Sequence, residues 1–583
     1  MPNKEYNQDT DLMTSNMTEK FQEERSTAPP TTAVETTPAD NDQDQDQDQD
    51  QGLGSQSSDQ IENSAVKPPR TVTGFGWVCV IAAILSSIFL FALDNTITAN
   101  VQPAIVDTFH DVSRLSWISV AYLLGAASIN LLWGQIYTRF DAKWTYIACV
   151  TVFEAGSALC GASPHMPAFI VGRALCGLFG SGMYVGVMTL ISLTTWENER
   201  ATYFGLVGIT WGIGTVLGPI IGGALAQAGA WRWAFYLNLI VGAVAAPVFL
   251  FLIPSKDPLP GTSIKFRAAP IDLLGTVLLA GAITSLLMGI SFGGVVYDWD
   301  SGSIIALFVV AGVLCAIFLA QQLLTIGTTV ETRIFPLHFL RAPTLVMQAL
   351  AVAATATASF TIIFFLPLYY QLVIDLSPVA SGVHLLPFVC FMVAVCVLNG
   401  ILLSSKLGYY MPWFLLSGVF MVVGSACLFI VNQYTSAAKV YGYTIIYGIG
   451  VGASIQMPFS VAAAKVRPEE AGLAIGYCTF FQFLGPAVAL SIANAVFLND
   501  ALRDLLELLP ALGKDAVLGA LFGLDPALLA GNSQVSRATI ANVITTSMHT
   551  VYAIPLSSGA LVLVLSIFMN RERLNGATVV GGA

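Results

Sequence analysis

The chain has 583 residues, of which 55% are hydrophobic and only 10% charged, against roughly a quarter charged in soluble domains. That balance excludes an ordinary water-soluble domain and implies an integral membrane protein. The formal net charge of -11 comes largely from one amino-terminal stretch, so it carries no message about a charged substrate or nucleic acid, and no basic nucleic-acid stripe is present.

Residues 1–70 are rich in Gln, Asp, Thr, Ser and Pro and contain the run Asn41 to Gln51, NDQDQDQDQDQ. Nothing in them could form an apolar core, which predicts a disordered acidic cytoplasmic tail. No cleavable signal peptide is expected, because the first apolar run starts late and reads as span one. Asn16-Met17-Thr18 matches a glycosylation acceptor that a cytoplasmic tail would never use.

A bilayer core of about 30 Å needs about 20 apolar residues per helix. Fourteen such segments lie between Gly76 and Met569, beginning near residues 76, 115, 144, 167, 203, 233, 271, 303, 344, 379, 409, 439, 471 and 550. The alternating ten-residue segments of an outer-membrane barrel are absent, so the expected fold is all-α. Charged residues inside spans cost about 2.5 to 3.5 kcal/mol each on insertion scales, and three stand out. Asp94 lies near the outer end of span one, Glu154 midway along span three and Arg173 in the outer third of span four. A carboxylate held in an apolar bundle can take up and release protons near physiological pH. If Arg173 approaches Asp94 or Glu154 in one conformation and withdraws in another, proton affinity is coupled to the direction the cavity faces.

Span five reads FGLVGITWGIGTVLGPIIGG from Phe204 to Gly223. Gly208 and Gly212 share one face, as do Gly214, Gly218 and Gly222, which lets neighbouring backbones approach closely. Pro219 removes a backbone donor and predicts a kink. Gly485-Pro486 in span thirteen is a second such site. The stretch from 499 to 547 is expected to be an outer loop whose segment ALRDLLELLPAL is interrupted too often by Arg503, Asp504, Glu507 and Pro510 to cross the membrane. It reads as an amphipathic segment on the outer surface, with lidding of the cavity as the alternative.

Counting Lys and Arg orients the chain. With the amino terminus inside, the short inner loops and carboxyl tail hold thirteen basic residues, among them Arg139, Lys143, Arg200 and Arg571, and the short outer loops hold only Arg114, Arg232 and Lys439. Both termini are therefore expected in the cytoplasm. All nine cysteines fall inside expected spans, and neither they nor the five histidines show metal-ligand spacing. No nucleophile and base arrangement or phosphate-cradling loop occurs, so an enzyme is not expected.

Five patterns occur in order: Leu93-Asp94-Asn95-Thr96 through Pro103, Gly134 through Lys143, Arg173 through Gly182, Gly208 through Gly223, and Trp231 through Asn238. Together they resemble the major facilitator superfamily, and within it the fourteen-span drug:proton antiporters. The resemblance spans about residues 75–570 and implies a six-helix half over 75–255, two linking helices over 256–330 and a second six-helix half over 331–570, with a tail at 571–583. It also implies alternating access by rocking of the halves. Asp94, Glu154 and Arg173 become candidates for proton coupling. Gly134, Arg139, Asp141 and Lys143, with Gly208, Gly212, Gly214, Gly218, Pro219, Gly222 and Gly223, become candidates for conformational change. Thr138 stands where the family's loop usually has an acid and Asp141 where it has glycine, so the family's latching ion pair lacks its usual acid and Asp141 is the candidate substitute.

Phrases such as FEAGSALCG and WRWAFYLNL, with Arg333-Ile334-Phe335-Pro336 and Tyr410-Met411-Pro412-Trp413, are most similar to filamentous-fungal toxin and multidrug efflux pumps. The implied activity is proton-driven export of a hydrophobic small molecule by a monomer in the cell membrane, a vacuolar or vesicular membrane being the alternative. No cofactor is expected, the proton gradient being the energy source. Wall candidates at the midplane are Asn130, Tyr184, Trp211, Phe364, Tyr369, Gln371, Gln456 and Gln482. An importer of the same fold, carrying a siderophore or nutrient, and a non-transporting receptor or scaffold remain the other readings.

Overall fold

Polar caps and long apolar runs set the elements. The computed structural model describes residues 72–109, 115–403, 408–467, 470–510, 512–521 and 536–574, so the expected acidic tail and residues 575–583 lie outside the described residues. The amino-terminal half comprises α1 (Phe75–Phe109), α2 (Leu115–Ser128), α3 (Asn130–Arg139), α4 (Ala142–Ala162), α5 (Met166–Thr194), α6 (Glu197–Gln227) and α7 (Trp233–Phe251). A short α8 (Ile264–Ala268) leads to the linking pair α9 (Leu273–Phe292) and α10 (Gly302–Leu324). The carboxyl half comprises α11 (Pro343–Leu372), α12 (Pro378–Val383), α13 (Leu386–Leu403), α14 (Met411–Phe429), α15 (Ala437–Ser454), α16 (Met457–Ala464), α17 (Ala471–Leu508), α18 (Lys514–Leu521) and α19 (Arg537–Phe568). Apart from two isolated bridges, Gly293 with Tyr297 and Tyr409 with Arg573, the regular structure among the described residues is helical.

Several starts are fixed by loop side chains that accept from the first-turn backbone: Asp141 from Trp144, His165 from Ala168, Ser301 from Ile304 and Ser536 from Thr539. Among the described residues thirteen helices are long and apolar enough to cross a membrane, and fourteen if α2 and α3, bent by 42° across Ile129, count as one span. This agrees with the expected fourteen-span, all-α fold. Within the amino-terminal half α1 packs along α6, α4 along α5 and α2 along α5; in the other half α14 packs on α15 and α19, and α11 on α17 and α19. The halves meet where α6 packs on α12 and α13 and where α17 packs on α2, α3 and α5. Helix α9 bridges α2 and α17.

The ends of the last helices differ from the sequence expectation. Helix α17 continues to Leu508 instead of ending before residue 499, and α19 begins at Arg537 instead of near 550. The apolar face of this continuation packs on protein. Leu498, Ala501, Leu502 and Leu505 recur along one face and are buried with Leu509 and with Val517, Ala520 and Leu521 of α18 in the carboxyl-half core. Arg503 stays exposed beside Asp500 and Asp504. The charges that argue against a span therefore decorate the outer side of a helix whose other side is core. The rest of the expected loop, 522–535, lies outside the described residues.

A polar knot ties the linking pair to the loop that follows it. Asp272, 2% exposed, caps α9 through Gly275 and accepts from the side-chain amides of Gln321 and Gln322 at the end of α10 and from the Ile334 backbone. From the same loop the Thr332 carbonyl accepts from Gln135 of α3 at 2.5 Å.

Candidate functional site

Asp94 of α1 and Arg173 of α5 face one another in the amino-terminal half. Arg173 Nη1 donates to Asp94 Oδ2 at 2.6 Å, and the two side chains are 1% and 0% exposed. Arg173 Nε also donates to the Ile118 carbonyl, and its guanidinium lies 4.3 Å from the ring centre of Tyr122. Tyr122 in turn donates to the Phe91 carbonyl. Asn238 of α7 donates to Ser157 at 2.9 Å and lies 3.4 Å from Asp94 Oδ1. A buried ion pair persists only when hydrogen bonds satisfy its remaining valences, and breaking one by removing a partner costs about 3–5 kcal/mol. Glu154 is not part of this cluster's hydrogen bonding. Its carboxylate oxygens are buried with no partner among the described residues and lie against Gly242 of α7, where an added Cβ would come within 2.5 Å of one of them. Tyr122 and Asn238 were missing from the sequence-based candidates, although Asn238 closes a pattern read there.

The glycines of α6 serve two neighbours. Gly214, Gly218 and Gly222 face α1, where a Cβ at Gly214 would stand 2.8 Å from the Phe89 carbonyl and one at Gly222 2.8 Å from that of Ile97. Gly208 and Gly212 instead face Cys396 and Val393 of α13 in the other half, and Gly223 faces Val379 of α12. Helix α6 runs without interruption through Pro219, whose carbonyl accepts from Asn100 Nδ2 at 2.9 Å.

At the end of the bundle bearing the Arg139–Lys143 loop, the halves close on each other. Gly134 of α3 and Gly476 of α17 touch backbone to backbone: a Cβ built on Gly476 would stand 3.0 Å from Gly134 Cα. A Cβ on Gly472 would meet the Thr138 methyl, and one on Gly400 would stand 2.8 Å from the Ala201 carbonyl. Thr138 spends its hydroxyl on the Gln135 carbonyl. Asp141 does not pair with Arg139; it caps α4 and accepts from the Ser255 hydroxyl. Lys143 donates to the Leu250 carbonyl, and Arg139 lies within electrostatic reach of Glu331. Close glycine packing and the Gln135–Thr332 link therefore hold this end.

Toward the opposite end the halves part around a cavity of about 250 Å³. Its walls come from the far ends of α1, α6, α9 and α11, the near end of α2 and the middle of α17, with Leu521 of α18 at its edge. Phe364 and Gln371 line it, as does Pro219. The other wall candidates lie elsewhere. Tyr184 and Trp211 pack 5.7 Å apart in an aromatic cluster with Phe91, Phe483 and Phe360, built from both halves between the cavity and the closed end. The Tyr184 hydroxyl and the Oε1 atoms of Gln456 and Gln482 are buried without partners among the described residues, as is the whole amide of Asn130 at the α2–α3 bend. Tyr369 sits in the carboxyl-half core and donates to the Asn432 carbonyl. Cavity residues that the sequence did not single out include Asn100, Gln102 and Asn494, each an amide in an apolar span.

Two helical halves around a cavity shut at one end, with a buried ion pair behind one wall, define a membrane transporter. The chain belongs to the Major Facilitator Superfamily, whose family description matches residues 84–490. It is 44% identical over 530 residues to the MFS-type transporter pgmG of Aspergillus terreus, covering 91% of this chain and 94% of that protein. It is 39% identical to the efflux pump alnA of Emericella nidulans, covering 87% of this chain and 92% of that protein. Among solved structures, the human organic anion transporter MFSD10 (TETRAN) shares the fold with a TM-score of 0.52 at 14% identity, over 78% of this chain and 99% of that one.

Proposed function

We propose that the chain exports hydrophobic small molecules, metabolites or toxins made by a fungal cell, across the cell membrane in exchange for protons, with both termini in the cytoplasm. The observation that carries the reading is the cavity between the halves, closed at the end bearing the basic loops and lined by Thr96, which lies two residues from the paired Asp94 on α1. Relatives bearing the names of efflux pumps support the direction of transport. In alternating access the Gly134–Gly476 contact and the aromatic cluster around Trp211 separate together, and cargo passes between the halves. The Asp94–Arg173 pair supplies the coupling: a proton on Asp94 removes the charge that holds Arg173, so protonation and conformation bias each other.

The test is flux in liposomes carrying a pH gradient, with the uncharged dye Nile red as cargo and wild type compared with Arg173→Ala and Asp94→Asn. Gradient-dependent flux that both substitutions abolish is the expected result. Flux that persists at the wild-type rate in both variants would refute the coupling role, and flux indifferent to the gradient would refute proton exchange.

A further inference from the structure

We infer that the cavity selects uncharged, oxygen-bearing amphiphiles and discriminates against ions, an inference that rests on the reading of this cavity as the path of the cargo. Its polar lining consists of four carboxamides, Asn100, Gln102, Gln371 and Asn494, and three hydroxyls, Thr96, Ser291 and Ser491, set among apolar side chains. No ionisable side chain lines it among the described residues. The nearest acid along α1, Asp94, is fully buried and committed to Arg173, so it offers no counter-charge to a cation.

Two of the three hydroxyls have spent their protons, and Ser491 keeps its O–H. Thr96 donates to the Ala92 and Leu93 carbonyls, and Ser291 donates to Ser491 at 3.2 Å. Asn100 has spent an N–H on Pro219 but keeps its carbonyl oxygen. Gln371 and Asn494 make no hydrogen bond among the described residues, so each presents two donors and an acceptor. Carboxamides of this kind match the carbonyl, ether and hydroxyl oxygens of a neutral molecule. An ion entering the same space would leave water and meet dipoles and aromatic rings but no counter-charge, which is costly for either sign of charge. Phe364, Leu490 and Val120 supply the apolar surface for the hydrocarbon part of the cargo. The volume of about 250 Å³ lies just below the usual ligand-pocket range of about 300–1,000 Å³, which favours a compact molecule.

The experiment measures equilibrium binding to the full-length protein in nanodiscs, above empty nanodiscs, for uncharged Nile red and for the cation rhodamine 6G. The expected result is saturable Nile red binding at least about tenfold tighter than that of rhodamine 6G. Leu490→Trp, which fills the cavity, should abolish it. Gln371→Glu introduces a carboxylate with one atom exchanged and little change of shape, and should tighten rhodamine 6G by about tenfold while weakening Nile red. Rhodamine 6G bound by wild type as tightly as Nile red, and displaced by Leu490→Trp, would overturn the inference. So would the absence of saturable Nile red binding, or a Gln371→Glu variant with unchanged preference. Gradient-driven flux of rhodamine 6G that depends on Arg173 would leave the transport reading standing while removing the selectivity.

Discussion

The Gly134–Gly476 contact makes a quantitative claim about conformational balance. A methyl placed on Gly476 would stand 3.0 Å from Gly134 Cα, and one on Gly134 would stand 3.4 Å from Gly476 Cα. Carbon atoms prefer separations of about 3.5–4.0 Å. Because the opposing atoms are backbone, no side chain can rotate away, and α3 and α17 must move apart by a few tenths of an ångström. Overpacking of this kind costs about 1–3 kcal/mol. The cost falls only on the conformer in which this end is shut, so Gly476→Ala should shift the equilibrium toward the conformer open at this end by about 5- to 150-fold. Pulsed electron resonance between spin labels at Trp144→Cys and Arg467→Cys, exposed to 58% and 71%, reports the opening once the exposed Cys315 and Cys390 are replaced by Ser. The expected outcome is a longer-distance population that grows in Gly476→Ala and grows further when Gly134→Ala is added. An unchanged distance distribution, whatever happens to thermal stability, would show that this contact is packing and not a latch.

Breaking the buried pair by Asp94→Asn or Arg173→Ala should cost about 3–5 kcal/mol, read as a lower thermal unfolding midpoint. The double change Asp94→Asn with Arg173→Met should recover much of that stability without recovering gradient-driven flux; recovery of flux would sink the coupling role. The Tyr184 hydroxyl makes no well-formed hydrogen bond in this conformation, although Gln456 and Gln482 stand beside it, so Tyr184→Phe should change the unfolding midpoint little while altering the KM for cargo. A clear fall in stability would show that the hydroxyl is bonded after all. In the loop after α7, two N–H groups of Arg267, then the Leu259 backbone, hold the Asp257 carboxyl below its ordinary range. The folded state thus binds its proton less readily than the unfolded chain, so this contribution is present above the unfolded value of about 3.9 and is lost as pH falls below it. Thermal unfolding followed from pH 5 to pH 3 should therefore decline more steeply in wild type than in Asp257→Asn, and parallel curves would refute the assignment.

The spans were legible because hydrophobic length is a local property: each expected start except the last lies near the start of an observed helix. What escaped was the continuation of α17 past its expected end, where the apolar face of Leu498, Ala501, Leu502 and Leu505 is buried with α18. The Asp94–Arg173 pair was legible as opposite charges in apolar spans, but the choice of Asp94 over Glu154 depends on which faces of α1, α4 and α5 converge. The cavity was least legible. Phe364 and Gln371 line it, whereas Tyr184, Trp211, Gln456 and Gln482 lie in or beside the closed aromatic layer. Residue type cannot say which end of a two-ended pathway is open. Asp272 followed by an apolar run, and the adjacent Gln321 and Gln322 ending another, were signals of a buried polar knot that only the fold joins.

The position of α9 bears on how an oily molecule leaves. Its end is fastened to both flanking helices, with Trp117 of α2 packing 5.2 Å from Phe292 and Ser291 bonded to Ser491 of α17, while Asn499 reaches the Gly293 carbonyl at 3.4 Å. The seam between α2 and α17, which would otherwise be a slot opening sideways into lipid, is thereby boarded over. Under the export mechanism proposed above, cargo in the cavity has no way out through that flank, because α9 covers it.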